Sequence, residues 1–214
     1  MKVVAFVPIR LNSKRVVQKN LKLLGGKPLL CYVLDTLTKV GNINEVYAYC
    51  SSDSIMQYCN PKVHFLRRPD WLDGDEVLGK DIYNEFVNTV DADVYVLAHT
   101  TSPFIKVSTI ETALKQVTGG QYDSAFSAEK FQTFAWYEGK PLNYQLKNIP
   151  RTQTIEPVYV ETSAFYIFRR EVWKEQGQRI GSNPYMAVVD KIEGVDIDWP
   201  EDFEFAEKII AQQK

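Results

Sequence analysis

The sequence predicts an α/β domain built on a mostly parallel sheet with helices on both faces. Three observations carry that reading. Short apolar runs alternate with amphipathic stretches along most of the chain. The first run, Val3–Pro8, is continuously apolar, the pattern of a strand buried on both faces. The 214 residues make about one domain, 1–214. A chain of that length buries enough surface to fold without a disulfide or a structural metal.

The elements follow in order. After Val3–Pro8, the segment Pro28–Lys39 carries Leu29, Leu30, Val33, Leu34 and Leu37 at helical spacing. Glu45–Cys50 reads as a second strand, and Ser51 and Ser52 are placed to cap a helix running to Tyr58. Val63–Leu66 is a short strand. Asp81–Val90 is a helix with Ile82, Phe86 and Val90 four apart, and Asp93–Ala98 is another buried strand. Ser108 and Glu111 form a capping-box pattern, opening a helix to Val117. Ser124–Ala128 and Val158–Phe168 are strands, and Phe203–Ile210 is a closing helix. Between them Phe131–Arg151 has aromatics, Gly139, Pro141 and Pro150 but no period. It reads as an excursion whose aromatics suit a subunit contact.

Composition excludes several classes. The hydrophobic fraction of 45% and charged fraction of 24% are ordinary for a globular chain and argue against disorder. Lys+Arg 25 against Asp+Glu 27 gives −2, without the basic excess of a dedicated nucleic-acid binder. No apolar run approaches the ~18 residues of a membrane span. Val3–Ile9 ends at Arg10 without a small-residue cleavage site, so it reads as a strand rather than a leader. Cys31, Cys50 and Cys59 fit no zinc spacing and leave one thiol unpaired, which suits a reducing cytoplasm.

The charges are segregated along the chain. Seven bases precede the first acid, Asp35, whereas Asp190–Glu207 holds eight acids and one base. Two solvated faces would give this pattern, and so would a site where a basic loop faces anions and an acidic segment faces a cation. In open α/β sheets ligands bind beyond the carboxyl ends of the strands, and three polar segments fall there. The first runs from Arg10 through Asn12, Ser13, Lys14, Arg15, Lys19 and Asn20, a density of cations and donors suited to a polyphosphate. It lacks the Walker A pattern, and a plain basic surface loop has the same composition. The second is His99-Thr100-Thr101-Ser102-Pro103, a shelf of hydroxyls and one imidazole, or a polar turn initiated at Ser102. The third is Val195-Asp196-Ile197-Asp198. In a strand its two carboxylates share one side, a pairing that suits Mg²⁺, while a capping role for Asp198 at the last helix is the alternative.

The string PIRLNSKRVVQKNLKLLGGKPLL resembles the amino-terminal signature of the cytidylyltransferases that make CMP-activated acidic sugars. The resemblance continues through RRPDWLDGD, TTSPF, PRTQ, ETSAFYIF and DIDWPEDFEFAEKI and favours the acylneuraminate branch. It implies a Rossmann-like nucleotide-diphospho-sugar transferase fold, usually dimeric through an excursion like Phe131–Arg151. It implies that Arg10, Asn12, Ser13, Lys14 and Lys19 bind CTP phosphates, that Asn20 and Arg68 meet the nucleoside, and that Asp196 and Asp198 hold Mg²⁺. Thr101, Ser102 and Arg151 fall on the acceptor side, as do His99 and Glu161 by their place in the motifs. The expected reaction is in-line attack of an acidic acceptor on the α-phosphorus of CTP, with Lys14 and Lys19 stabilising pyrophosphate. A non-sugar acceptor and a catalytically silent nucleotide-binding module are the alternatives.

Three departures from the family pattern stand out. His99 and Thr100 replace a glutamine and a proline before TSP. Thr162-Ser163 replaces Asn-Gly in ENGAFYIF. Glu76–Gly79 replaces a serine-rich stretch. The first two fall on the acceptor side, where His99 is expected to tune acceptor choice, with a ring able to become cationic beside an acid group.

Overall fold

The computed structural model describes residues 1–212. Seven strands form the central sheet: β1 (Val3–Pro8), β2 (Glu45–Cys50), β3 (Val63–Arg67), β4 (Val94–Ala98), β5 (Ser124–Phe131), β6 (Val158–Arg169) and β7 (Pro184–Val189). Their order is β7-β5-β6-β4-β1-β2-β3. β1 pairs in parallel with β2 and β4, β2 with β3, and β5 with β7. Only β6 runs antiparallel to its neighbours, β4 and β5.

Alternation along β1 divides the core between the two faces. Val3, Ala5 and Val7 face a cluster with Leu30, Leu34 and Leu37 of α1 (Leu29–Leu37) and Ile110, Leu114 and Val117 of α3 (Val107–Thr118). Val4 and Phe6 face the other cluster, where Phe86 of α2 (Gly79–Thr89) stacks on Phe6 at 4.0 Å between centroids. Trp173 of α4 (Arg170–Gln176) closes that side. The expected α/β class with helices on both faces is therefore the observed one.

α5 (Pro200–Gln212) decides where the site forms. Its Phe203 and Ala206 pack on Leu24, Leu29 and Ile197, away from the two main clusters. Leu24 belongs to a short ribbon, Leu23–Leu24 against Lys27–Pro28, turned by Gly25 and Gly26. Gly25 has φ +58°, and a Cβ there would stand 2.4 Å from Ile210 Cγ2, so only glycine lets α5 seat on the turn. That seating brings the acidic segment before α5 against the basic loop after β1, though more than 170 residues separate Lys19 from Ile197 along the chain.

Several local expectations change. The stretch after Ser52 is a 3₁₀ segment, Asp53–Tyr58, with the Ser52 hydroxyl accepting from Ser54 N. Ser108 does not cap α3: the helix begins at Val107 with no side-chain cap, and Glu111 instead accepts from Gly41 N at 3.2 Å. The Val195–Asp198 segment, expected as a strand, is irregular and joins no sheet. Its backbone meets the body of the domain through Ile197 N donating to Thr101 O at 2.8 Å. Helix α4 and strand β7 were not foreseen, because Arg170–Gln176 is short and polar and Pro184 opens β7 at a sheet edge. The β5–β6 ladder runs out to Phe131 and Val158, and the excursion beyond it folds a small ribbon, Trp136–Tyr137 against Lys140–Pro141. The three cysteines are free thiols, with Cys31 and Cys50 buried. Among the described residues, no helix is long and apolar enough to cross a membrane.

Candidate active site

A cleft of about 360 Å³ opens beyond the carboxyl ends of β1 and β4. Arg10, Asn12, Ser13, Lys14, Arg15, Lys19, Asn20, His99, Thr101 and Asp198 all line it, joined by Pro8 and Thr100. Two of the three polar segments and half of the carboxylate pair thus converge on one cavity.

The basic loop is held at both ends. Val16 is buried beneath it, and Gln18 takes φ +50° to turn the chain into a 3₁₀ segment at Lys19–Leu21. Asn20 is the brace. Its Nδ2 donates to Arg10 O and its Oδ1 accepts from Thr100 Oγ1, each at 2.6 Å, tying the loop to the end of β4. An amide has two N–H donors and one carbonyl oxygen. Asn20 therefore keeps one N–H for a ligand.

Each functional cation on this side rests on a carboxylate. Arg10 and Lys14 share Asp75, at 2.5 and 2.6 Å. Lys14 and then Arg10 hold the Asp75 carboxyl below its ordinary value. Arg15 and Lys19 share Asp198, at 2.9 and 3.3 Å, and Lys19 also donates to Ile197 O at 2.6 Å. Burial opposes ionisation of Asp198, but Lys19 and Arg15 outweigh it and lower its pKa. Asp202, not Asp198, caps α5: its Oδ2 accepts from Asp198 N and Trp199 N. The Asp198 side chain is left facing the cleft. Arg15, which also lies 5.0 Å over the Trp199 ring, was named in the basic loop without a role of its own, and Asp75 was not singled out as a site residue. The charge density of the loop and the acids of Asp73–Asp75 were the available signals.

Asp196 lies behind Asp198. Its Oδ1 is buried with no hydrogen-bond partner, and burial first, then Asp198, pushes its pKa up, with Thr101 pulling the other way. A buried carboxylate oxygen without a donor, beside a second carboxylate, is a pair of hard oxygen ligands that fits a divalent cation. Among the described residues, no three His, Cys, Asp or Glu side chains converge on one point. The pair would supply part of a coordination shell and not a closed cage.

His99 forms the opposite wall. A backbone carbonyl only accepts, so Nδ1 donates to Ser163 O at 2.5 Å and Nε2 of the neutral ring accepts from the Tyr83 hydroxyl at 3.2 Å. Burial lowers the His99 pKa against the opposing pull of Ser163 O, and Arg179 lowers it further. Here the ring is a neutral strut, where the sequence reading allowed a cation. Ser163 presents its carbonyl from a left-handed turn, φ +57°, inside the irregularity of the β5–β6 ladder. Tyr83 reaches His99 because residue 79 is glycine: a Cβ there would stand 2.9 Å from the Tyr83 hydroxyl. Gly79, His99 and Ser163, each in a segment that departs from the family pattern, thus meet in one network.

The remaining expected residues lie outside the cleft. Arg68 is 1% exposed and paired with Asp73, and does not line the cleft. Ser102 is fully buried. Arg151 is exposed near the end of the excursion, and Glu161 accepts from the Tyr166 hydroxyl at 2.8 Å.

Residues 4–214 match the family described as cytidylyltransferase. The chain belongs to that family. N-acylneuraminate cytidylyltransferase of Oncorhynchus mykiss is 29% identical over 92% of this chain and 49% of its own length. The enzyme of that name from Streptococcus agalactiae is 23% identical over 95% and 52%. The chain thus spans about half the length of these curated relatives. Pseudaminic acid cytidylyltransferase of Campylobacter jejuni is 23% identical and matches nearly end to end, over 96% of this chain and 95% of its own. A CMP:2-keto-3-deoxy-manno-octonic acid synthetase solved with CTP shares the fold, with TM-score 0.74, 18% identity and full coverage of both chains. So does a 4-diphosphocytidyl-2C-methyl-D-erythritol synthase from Anaerococcus prevotii, with TM-score 0.70, 11% identity and coverage of 98% and 96%.

Proposed function

We propose that this cleft transfers CMP from CTP to an acidic, nonulosonate-like sugar and releases pyrophosphate. One observation carries the reading: α5 presents Asp198, with Asp196 behind it, directly opposite the basic loop of a cytidylyltransferase-family chain. The triphosphate replaces Asp75 and Asp198 as the partner of Arg10, Lys14, Arg15 and Lys19. Backbone and side-chain donors at Asn12 and Ser13 complete the cradle. Lys14 and Lys19 take up the charge that grows on departing pyrophosphate. Asn20 holds the loop and offers its free N–H toward the nucleoside, while Arg68 acts from behind through Asp73.

Asp196 and Asp198 would hold Mg²⁺, which when bound neutralises phosphate charge and acidifies an attacking hydroxyl. His99 and Thr101 border the acceptor side. The excursion exposes Phe134, Trp136, Tyr137, Leu142, Leu146 and Ile149, an apolar surface that suits a second copy of the chain. Sedimentation of Trp136→Asp checks this: a dimer that becomes monomeric supports it, and an unchanged state contradicts it.

Pyrophosphate release in Mg²⁺ with N-acetylneuraminate, pseudaminate or 2-keto-3-deoxy-manno-octonate tests the reaction. CTP should exceed UTP by at least about a hundredfold in kcat/KM, since a mismatched base leaves buried polar groups unpaired. Equal turnover with UTP contradicts it.

A further inference from the structure

Beyond His99 the wall of the cleft leads to a second cavity of about 400 Å³, bordered by Gly79, Lys80, Tyr83, Trp173, Arg179 and Ile180. The two cavities share a partition, the His99–Tyr83 hydrogen bond. Arg179 Nη1 donates to the Tyr83 hydroxyl at 3.4 Å, and its guanidinium lies 3.7 Å over the Tyr166 ring. The donors therefore run in one direction, from Arg179 to Tyr83 to His99 to Ser163 O. Such a chain fixes the guanidinium plane through stacking and a hydrogen bond rather than through a counter-ion.

No carboxylate lies within ion-pair distance of Arg179 or Lys80 among the described residues. This contrasts with the basic loop, where Arg10, Lys14, Arg15 and Lys19 each have one. Arg179 is half-buried, and a guanidinium has five N–H donors in a fork that matches a carboxylate. One is spent on Tyr83, leaving an oriented cation with donors to spare, one tyrosine away from His99 of the cleft wall.

We propose that Arg179 is a specificity-determining residue that binds the carboxylate of the acceptor, with Lys80 adding positive charge and the Tyr83–His99 bridge fixing the guanidinium. The inference rests on the cytidylyl-transfer reading and adds which residue reads the acid. The network explains the neutral state of His99: its part is to hold Tyr83, while the anion is met by Arg179.

Steady-state kinetics at saturating CTP and Mg²⁺ test this with whichever of the three acids the wild type uses, and with the methyl ester of that acid. Arg179→Gln should raise the acceptor KM by about ten- to a hundredfold, the range of a hydrogen-bonded charge pair, and leave the CTP KM within about twofold. Arg179→Lys should recover part of the loss. The wild type should prefer the acid to its ester, and Arg179→Gln should erase most of that preference. A residue that only supports the fold would change acid and ester alike and lower the melting temperature. An unchanged acceptor KM, or an acid-over-ester preference that survives in Arg179→Gln, overturns the inference while cytidylyl transfer stands. No turnover of any acid by the wild type removes the reading itself, and this inference with it.

Discussion

On the side of the cleft proposed for the nucleotide, four cations stand on two partly exposed carboxylates. On the side proposed for the acceptor, one imidazole and one guanidinium are fixed by a tyrosine, a carbonyl and a ring. The first arrangement keeps its charges paired until a ligand with more negative charge displaces the carboxylates. The pairs of Arg10, Lys14 and Arg15 are solvent-exposed and have a small net worth, so their exchange costs little, whereas Lys19 is mostly buried and is also held by Ile197 O. The second arrangement has nothing to displace. Its polar groups are oriented in advance, and burial suppresses protonation of His99. A triphosphate brings charge enough to compete, whereas a single carboxylate needs a site already built for it.

This contrast can be broken at four points. Asp198→Asn should have the largest effect. It removes the carboxylate shared by Arg15 and Lys19 and half of the proposed cation site, which should lower kcat by about a hundredfold or more. The melting temperature should change little, because Asp202 and not Asp198 caps α5. Near wild-type kcat in saturating Mg²⁺ would remove Asp198 from the chemistry. Asn20→Ala comes next. It leaves Arg10 O and Thr100 Oγ1 without their partner and frees the loop, so kcat/KM for CTP should fall by about tenfold, the scale of a lost buried hydrogen bond. Loss confined to the acceptor KM would contradict its role as a brace.

Asp75→Asn sharpens the exchange argument. It releases Arg10 and Lys14, so the CTP KM should fall by about two- to fivefold, in keeping with the weakness of exposed pairs. A rise in KM would mean that Asp75 orders the loop for its ligand instead of competing with it. The smallest effect concerns pH. The ordinary His99 pKa near 6.5 is lowered in the fold, so between the two values the unfolded chain binds the proton first. The contribution of His99 to stability is full above that ordinary value and declines as pH falls below it. Denaturation at pH 7.5 and 5.5 should show a smaller decline for His99→Gln than for wild type. Equal declines would contradict the neutral-strut account.

How much of this was legible in the sequence follows the range of the signal. The basic loop was legible because its residues are contiguous, and continuous apolar runs marked β1 and β4. The acidic segment was legible as charge, but its position opposite Lys19 depends on α5 seating on Gly25, a contact between distant parts of the chain. Capping by Ser108 failed because Glu111 found a partner in the neighbouring loop at Gly41. Arg179 and Tyr83 gave no local sign: they lie 96 positions apart and meet only because the start of α2 and the turn after α4 fold against each other. Arg68 was marked by its motif, but its burial against Asp73 places it behind the cleft wall.

The most direct test of the central claim is the mass of the product formed when the chain is incubated with CTP, Mg²⁺ and one of the three acids. The account predicts a conjugate with the mass of the acid plus CMP less one water, appearing together with one equivalent of pyrophosphate. CTP that binds the cleft but is returned unchanged with every acid would contradict it.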